Sequence, residues 1–318
     1  MPQVLGTRYH VLQNDTYSNL MLYLREFGLQ PANIPFILMA TLEGLKGNDL
    51  VLRNFFYNSV WTSDGGAYPR QGSEFSGRFK VEPDSDLLMG VKDGAQLTGG
   101  ALSLPSDEAY ANLTGPEFIR VKADGKEYAL LARKAKVSGG YSVEELYELG
   151  ATPLWVEVGI AKAGGKEVDE IRNSDLLLAL AHYDFGKEPA DPDNLAAKQL
   201  IDDYYNELFN SALSNNIRGN QNSKTIYFML SAEQSTPIMR AWEVSCLGCG
   251  YTNFQNLEDY VNNSLPLIGI GTQNTPAIYT PEDIKKAMEI VDELRNAENK
   301  KVIRRGIAIE LEKIIGKL

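Results

Sequence analysis

The two cysteines of this 318-residue chain, Cys246 and Cys249, stand three positions apart in the stretch SCLGCG. A Cys-x-x-Cys turn closing on glycine supplies two thiolates to a tetrahedral zinc, which then needs two further ligands. No second such pair is present, and the nitrogen candidates, His10 and His182, are distant in sequence. The other use of a close pair, a redox dithiol, belongs at a helix start after a strand in a βαβ unit. MRAWEVSCLGCGYTNF has a strand entering a turn without those surroundings. The pair is therefore read as thiols packed in or beside a turn, as free cysteine commonly is. Zinc on Cys246 and Cys249 is the alternative, and no other cofactor is expected.

Other catalytic patterns fail on spacing. The phosphate-loop motif is absent, and LIGIGTQNT lacks the third glycine and the helix of a dinucleotide fingerprint. With two histidines, a Ser-His-Asp triad must use His10 or His182. His182 follows an apolar helix, where a histidine satisfies terminal carbonyls, so capping or packing is expected of it. Pro83-Asp84 followed by Asp124-Gly125-Lys126 matches the letters of a metal nuclease. That chemistry needs the second carboxylate and the lysine on a strand facing the metal, whereas Asp-Gly is a leading hairpin-turn signal. The chain is read as leaning away from an enzyme, with a metal-dependent enzyme ranked third among functions.

A mildly basic, aromatic segment runs from residue 51 to 81. Arg53, Arg70, Arg78 and Lys80 alternate there with Phe55, Phe56, Tyr57, Trp61, Tyr68, Phe75 and Phe79. Such interleaving stacks unpaired bases and holds phosphate, but it equally fills a core or a subunit contact. The net charge of −11 favours the latter. Trp61 and these cations, with Arg218 and Lys224 of the polar loop NNIRGNQNSK, are the nucleic-acid or interface candidates.

The elements that must position these residues follow from patterning. DTYSNLMLYLREF is a short helix capped at Asp15 or Thr16. NIPFILMATLEGL is an apolar run whose periodicity leaves helix and strand both open. Residues 62–115 are rich in Gly, Ser, Asp and Pro and read as extended arms and hairpins. EFIRVKADGKEYALLARKAKV is a hairpin turning at Asp124-Gly125. PLWVEVGIAKA and KTIYFML are strands. A helix is expected over about 166–182, and a long one over 194–215 opens at Asp191-Pro192. Leu200, Tyr204, Leu208 and Ala212 form its buried stripe, and Asp202, Asp203 and Glu207 its acidic face. Helices close the chain after Thr280. Strands and helices without βαβ alternation give an α+β class: antiparallel strands and hairpins around a long central helix, with a helical C-terminus. The expected organisation is an N-terminal segment 1–61, a hairpin-rich extension 62–140, a core 141–280 and C-terminal helices 281–318.

Residues 173–215 resemble the spine-helix region of tailed-bacteriophage major capsid proteins. The similarity lies in an apolar segment carrying Asp175-Leu176 and Ala179-Leu180, a break at Asp191-Pro192, and an amphipathic helix carrying Tyr204, Tyr205, Leu208, Ala212 and Leu213. The resemblance implies an amino-terminal arm and a long hairpin before the spine, which residues 62–115 supply. Two consecutive helices at the end depart from that family's usual strands and loops. The resemblance implies a structural, self-assembling protein, a shell subunit whose partner is itself. A nucleic-acid-associated subunit of a ribonucleoprotein is the alternative. No apolar run of about 18 residues is present, so no membrane span is expected. The start lacks a basic-then-apolar signal pattern and cysteines are scarce, so a cytoplasmic location, or a virion, is expected.

Overall fold

The computed structural model describes residues 3–4, 7–12, 17–46, 59–90, 97–98, 101–137, 139–159, 171–210, 223–246, 251–255 and 267–271. The chain divides into two compact units, Met1–Gln273 and Asn274–Leu318, and every described residue belongs to the first. The closing helices expected after Thr280 lie outside the described residues. The first third contains β1 (Gln3–Val4), β2 (Thr7–Leu12), α1 (Tyr17–Glu26), β3 (Gln30–Pro31), α2 (Ile34–Leu45), β4 (Ser59–Tyr68), β5 (Arg78–Glu82) and α3 (Asp86–Met89). The middle contains β6 (Leu97–Thr98), β7 (Ala101–Ser103), α4 (Asp107–Ala111), β8 (Glu117–Ala123), β9 (Lys126–Leu131), α5 (Val143–Glu148), β10 (Thr152–Pro153) and β11 (Trp155–Gly159). Then come α6 (Asp175–Leu180), α7 (Pro192–Asn210), β12 (Ser223–Met229), β13 (Ile238–Cys246), β14 (Tyr251–Gln255) and β15 (Leu267–Gly271). The fold is mixed α+β.

The main sheet runs in the order β10-β9-β8-β5-β4-β13-β14-β12-β11. Most pairs are antiparallel, while β12 with β14 and β15 with β4 are parallel. The two ends of this path, β10 and β11, are separated in the chain by Leu154 alone. Leu154 donates its N–H to Glu127 of β9, and its carbonyl accepts from Phe228 of β12. One stretch of backbone thus passes from the first strand of the sheet to the last. The β8–β9 hairpin turns at Asp124 and Gly125, both at positive φ (47° and 71°), as a tight Asp-Gly turn requires.

Two helices cover the sheet. The segment whose periodicity settled nothing is α2, and it is buried on most of its surface, from Ile34 and Phe36 to Leu42 and Leu45, with Met39 exposed. A helix this apolar, with Glu43 as its one charged residue, belongs in the interior. Asn33 caps it, its Oδ1 accepting from Phe36 N at 3.0 Å, and Pro35 stands in the first turn. The long helix α7 packs on α2. Asp191 caps it, its carbonyl accepting from Leu195 N and its Oδ1 from Asp193 N. Its buried face is Asn194, Ala197, Ile201, Tyr204 and Tyr205, with Leu200 only partly covered. The side chain of Leu208 and all of Ala212 lie outside the described residues. Each fully buried apolar side chain of this size contributes about 1.5–3 kcal/mol.

Residues 62–69 differ most from expectation. Their composition suggests an exposed arm, yet every one is buried, and all but Pro69 lie in β4, the strand at the middle of the sheet. Glycine serves close packing here: a Cβ on Gly65 would stand 3.0 Å from Met239 Sδ and 3.3 Å from Leu88.

Candidate functional site

Opposite the single residue Trp242, β4 carries three: Thr62, Ser63 and Asp64. The pairing runs Glu243↔Trp61 and then Ala241↔Gly65. Such a bulge breaks the alternation of side chains and re-aims one of them. Its polar groups are bonded to several elements: Thr62 Oγ1 donates to Trp242 O at 2.9 Å, Ser63 N to Ala32 O, and Ser85 N to Ser63 O. Tyr17 closes it from above, donating its hydroxyl to Thr62 O at 3.1 Å. Burial first, and then the charge of Asp64, raise the Tyr17 pKa.

The bulge points Asp64 at the start of α2. Asp64 is 1% exposed, and its Oδ2 accepts from Ile34 N at 2.6 Å, at the positive end of the helix dipole. Its Oδ1 accepts from Asp84 N at 2.8 Å and stands 2.8 Å from His182 Nε2. Asp84 lies in the turn after β5, with its carboxylate half exposed. It accepts from Ser63 Oγ at 3.0 Å and from Asn33 Nδ2 at 3.1 Å. The residue that caps α2 thereby also anchors Asp84. His182 Nδ1 is 3.7 Å from Asp84 Oδ2, so the imidazole stands between two carboxylates.

His182 arrives from α6. Its backbone N–H donates to Ala179 O and that of Tyr183 to Leu178 O, closing the helix with His182 in the left-handed region at φ 65°. The following loop is pinned by Asn194 of α7. Its Oδ1 accepts from Asp184 N, and its Nδ2 donates to the carbonyls of Asp184 and Glu188. Asp84 is also left-handed, at φ 43°. The third such non-glycine among the described residues, Asp124, is explained by its hairpin turn. Positive φ at Asp and His is uncommon, and here it brings both side chains to one point.

Burial lowers the pKa of His182, but the hydrogen bond and charge of Asp64, with the charge of Asp84, outweigh it, so the net shift is upward. A raised histidine contributes stability that is fully present below its unfolded value of about 6.5 and lost as pH rises through the folded one. The melting temperature of chelator-treated protein should therefore fall across that window, and His182→Gln should remove that fall. His10, whose pKa burial lowers, works in the opposite direction in both proteins. Equal slopes in parent and variant would show that His182 is not held by the two aspartates.

No family model matches the chain, and no curated protein does. A solved structure described as "Accommodation of massive sequence variation in Nanoarchaeota by the C-type lectin fold" is similar over 85% of this chain and 99% of its own. The identity is 11% and the TM-score 0.46. A likeness at that level assigns neither fold nor function.

The residues singled out by composition are dispersed. Cys246 ends β13, paired with Thr252 of β14; its side chain and all of Cys249 lie outside the described residues. So do Arg53, Arg218 and the side chain of Lys224. Trp61 is core, edge-on to Tyr17 at 5.4 Å. Arg70 pairs with Asp107 at 2.9 Å and Arg78 with Glu117 at 2.8 Å. Lys80 is buried and donates to the carbonyls of Ala111 and Leu113. Three of the proposed phosphate-binding cations thus have partners within the chain.

The cluster itself was not foreseen. Sequence patterns pair Asp84 only with the distant hairpin turn, and set His182 beside the cysteines or a serine triad before a capping role, never beside Asp64. The signal that could have found Asp64 was a carboxylate flanked by small residues in TSDGG.

Proposed function

We propose that this is a non-catalytic structural protein whose fold is clamped by a divalent cation at Asp64, Asp84 and His182. One observation carries the reading: each residue offers a ligand atom, and the three lie within 4.8 Å of one another. Two donors at right angles, each about 2.1 Å from an ion, stand about 3.0 Å apart. The 2.8 Å between Asp64 Oδ1 and His182 Nε2 is close to that spacing. One imidazole with two carboxylates suits an ion that accepts nitrogen and oxygen together, such as Mn²⁺ or Zn²⁺. The half-exposed carboxylate of Asp84 gives the site an entrance. The hydroxyl bound into the cluster, that of Ser63, is fully buried and donates to Asp84, holding that carboxylate in place.

Thermal melting after chelation, followed by addition of Mn²⁺, Zn²⁺, Mg²⁺ or Ca²⁺ in turn, tests the site. A preferred ion at about 100 times its Kd should stabilise the fold by about 2.7 kcal/mol. Asp84→Asn removes a half-exposed charge and should abolish that gain while leaving the fold intact. If no ion stabilises the parent, or the variant gains as much, the cation reading is lost.

Self-assembly into a shell, implied by the capsid-like spine segment, is the second reading. Leu195 is 53% exposed on α7, on the side that carries the exposed Asp203. A single exposed leucine is ordinary on a helix surface, so this reading rests on the spine-like segment. Negative-stain images of the purified chain decide it, since a featureless monomer at every salt and protein concentration would remove it.

A further inference from the structure

A second site opens where the backbone passes from β9 to β12. The strands diverge at Leu154, leaving an open cleft of about 630 Å³. That volume lies within the range of small-molecule sites, which are apolar with a few fixed polar groups. Leu154, Phe228 and Leu230 form its apolar lining, and Trp155 stands at it with 61% of its surface exposed. An indole left this open, beside a concavity, is a ready stacking surface.

The polar groups of the cleft are Arg120, Lys126 and Glu127. Arg120 is held in place, its Nη2 donating to Ser231 O and its guanidinium lying 5.9 Å from the centre of the Tyr68 ring. The charge of Glu127 is answered outside the cleft by Lys122, at 3.3 Å. Arg120 and Lys126 therefore bias the cleft positive on a chain whose net charge is −11. A local reversal of sign draws anions to that place rather than to the surface at large.

We propose that this cleft binds a single nucleotide, its base stacked on Trp155 and its phosphate held by Lys126 and Arg120. Stacking on an aromatic face is available to every base, because each has a π-face. Guanidinium and ammonium groups supply charge-assisted hydrogen bonds to phosphate oxygens. The volume suits one nucleotide, so the occupant is a free mononucleotide rather than a strand. The cluster at Asp64 takes no part, so this site and the cation site stand or fall separately.

The chain supplies its own probe. Of its three tryptophans, Trp61 is 4% exposed and Trp242 is 0% exposed, leaving Trp155 to report a ligand from solution. AMP should quench indole emission saturably in the intact protein. By calorimetry, Trp155→Ala should weaken AMP binding roughly 5- to 150-fold, the range for loss of one stacked base. Lys126→Gln, at an exposed turn, should weaken it as well, and adenosine without the phosphate should bind less tightly than AMP. The absence of saturable AMP binding, or affinity unchanged by Trp155→Ala in a protein that melts like the parent, overturns the proposal. So does binding confined to oligoadenylate and growing with its length.

Discussion

Asp64→Ala is expected to cost about 3–5 kcal/mol of folding stability, the range for removing one partner of a buried charged pair. The buried carboxylate joins four segments, the bulge of β4, the first turn of α2, the turn after β5 and the end of α6, which the half-exposed Asp84 bridges from the solvent side. Its loss leaves the N–H groups of Ile34 and Asp84 without their acceptor and His182 beside Asp84 alone. A buried donor left unpaired carries its full desolvation cost, about 1–3 kcal/mol each. Urea unfolding monitored by circular dichroism measures the change. A shift below about 1 kcal/mol would mean that water replaces the carboxylate without loss, and that the cluster does not hold these segments together.

Trp242→Ala is expected to be comparably damaging, at about 3–5 kcal/mol, as for other large aromatic side chains removed from a core. Trp242 is fully buried, and its carbonyl receives the Thr62 hydroxyl that shapes the bulge. Its indole N–H has no partner among the described residues, which offsets part of what its burial contributes. Trp242→Phe should therefore cost less than the alanine change. The consequence reaches the cation site, because Asp64 is aimed by the residues that Trp242 opposes. In the alanine variant, the folded protein at low temperature should bind the preferred ion more weakly than the parent. Unchanged ion affinity would separate the bulge from the site.

How far the sequence reveals this arrangement depends on the range of the forces involved. The β8–β9 hairpin was legible because its turn chemistry is local to Asp124-Gly125. The long helix was legible from Asp191-Pro192 and its apolar spacing. Its buried face nevertheless takes in Ile201 and Tyr205 beside Tyr204, because the stripe is set by the helix α2 it meets. The strand β4 was illegible for the opposite reason. Gly, Ser and Asp ordinarily mark loops, and here they are tolerated inside a sheet only because distant groups satisfy them. Ala32, Ser85, Ile34 and Trp242 each come from another element. His182 was half legible. Its backbone closes α6 as a histidine at that place would, while its side chain finds Asp64 across 118 residues of sequence, a distance no local pattern encodes.

The placing of β4 at the centre of the sheet also bears on how the protein is made. The hydroxyl of Thr62 meets its partner 180 residues later, at Trp242. At roughly 5–20 residues per second, a ribosome adds that length in about 10 to 35 seconds. Throughout that time β4, buried in the finished fold, has emerged without β13, its neighbour on one side. Its own composition is what makes the wait tolerable: the polar stretch Thr62–Gly66 interrupts its apolar residues, so Val60 and Trp61 at one end and Ala67 and Tyr68 at the other form no continuous apolar run for other nascent chains to hold.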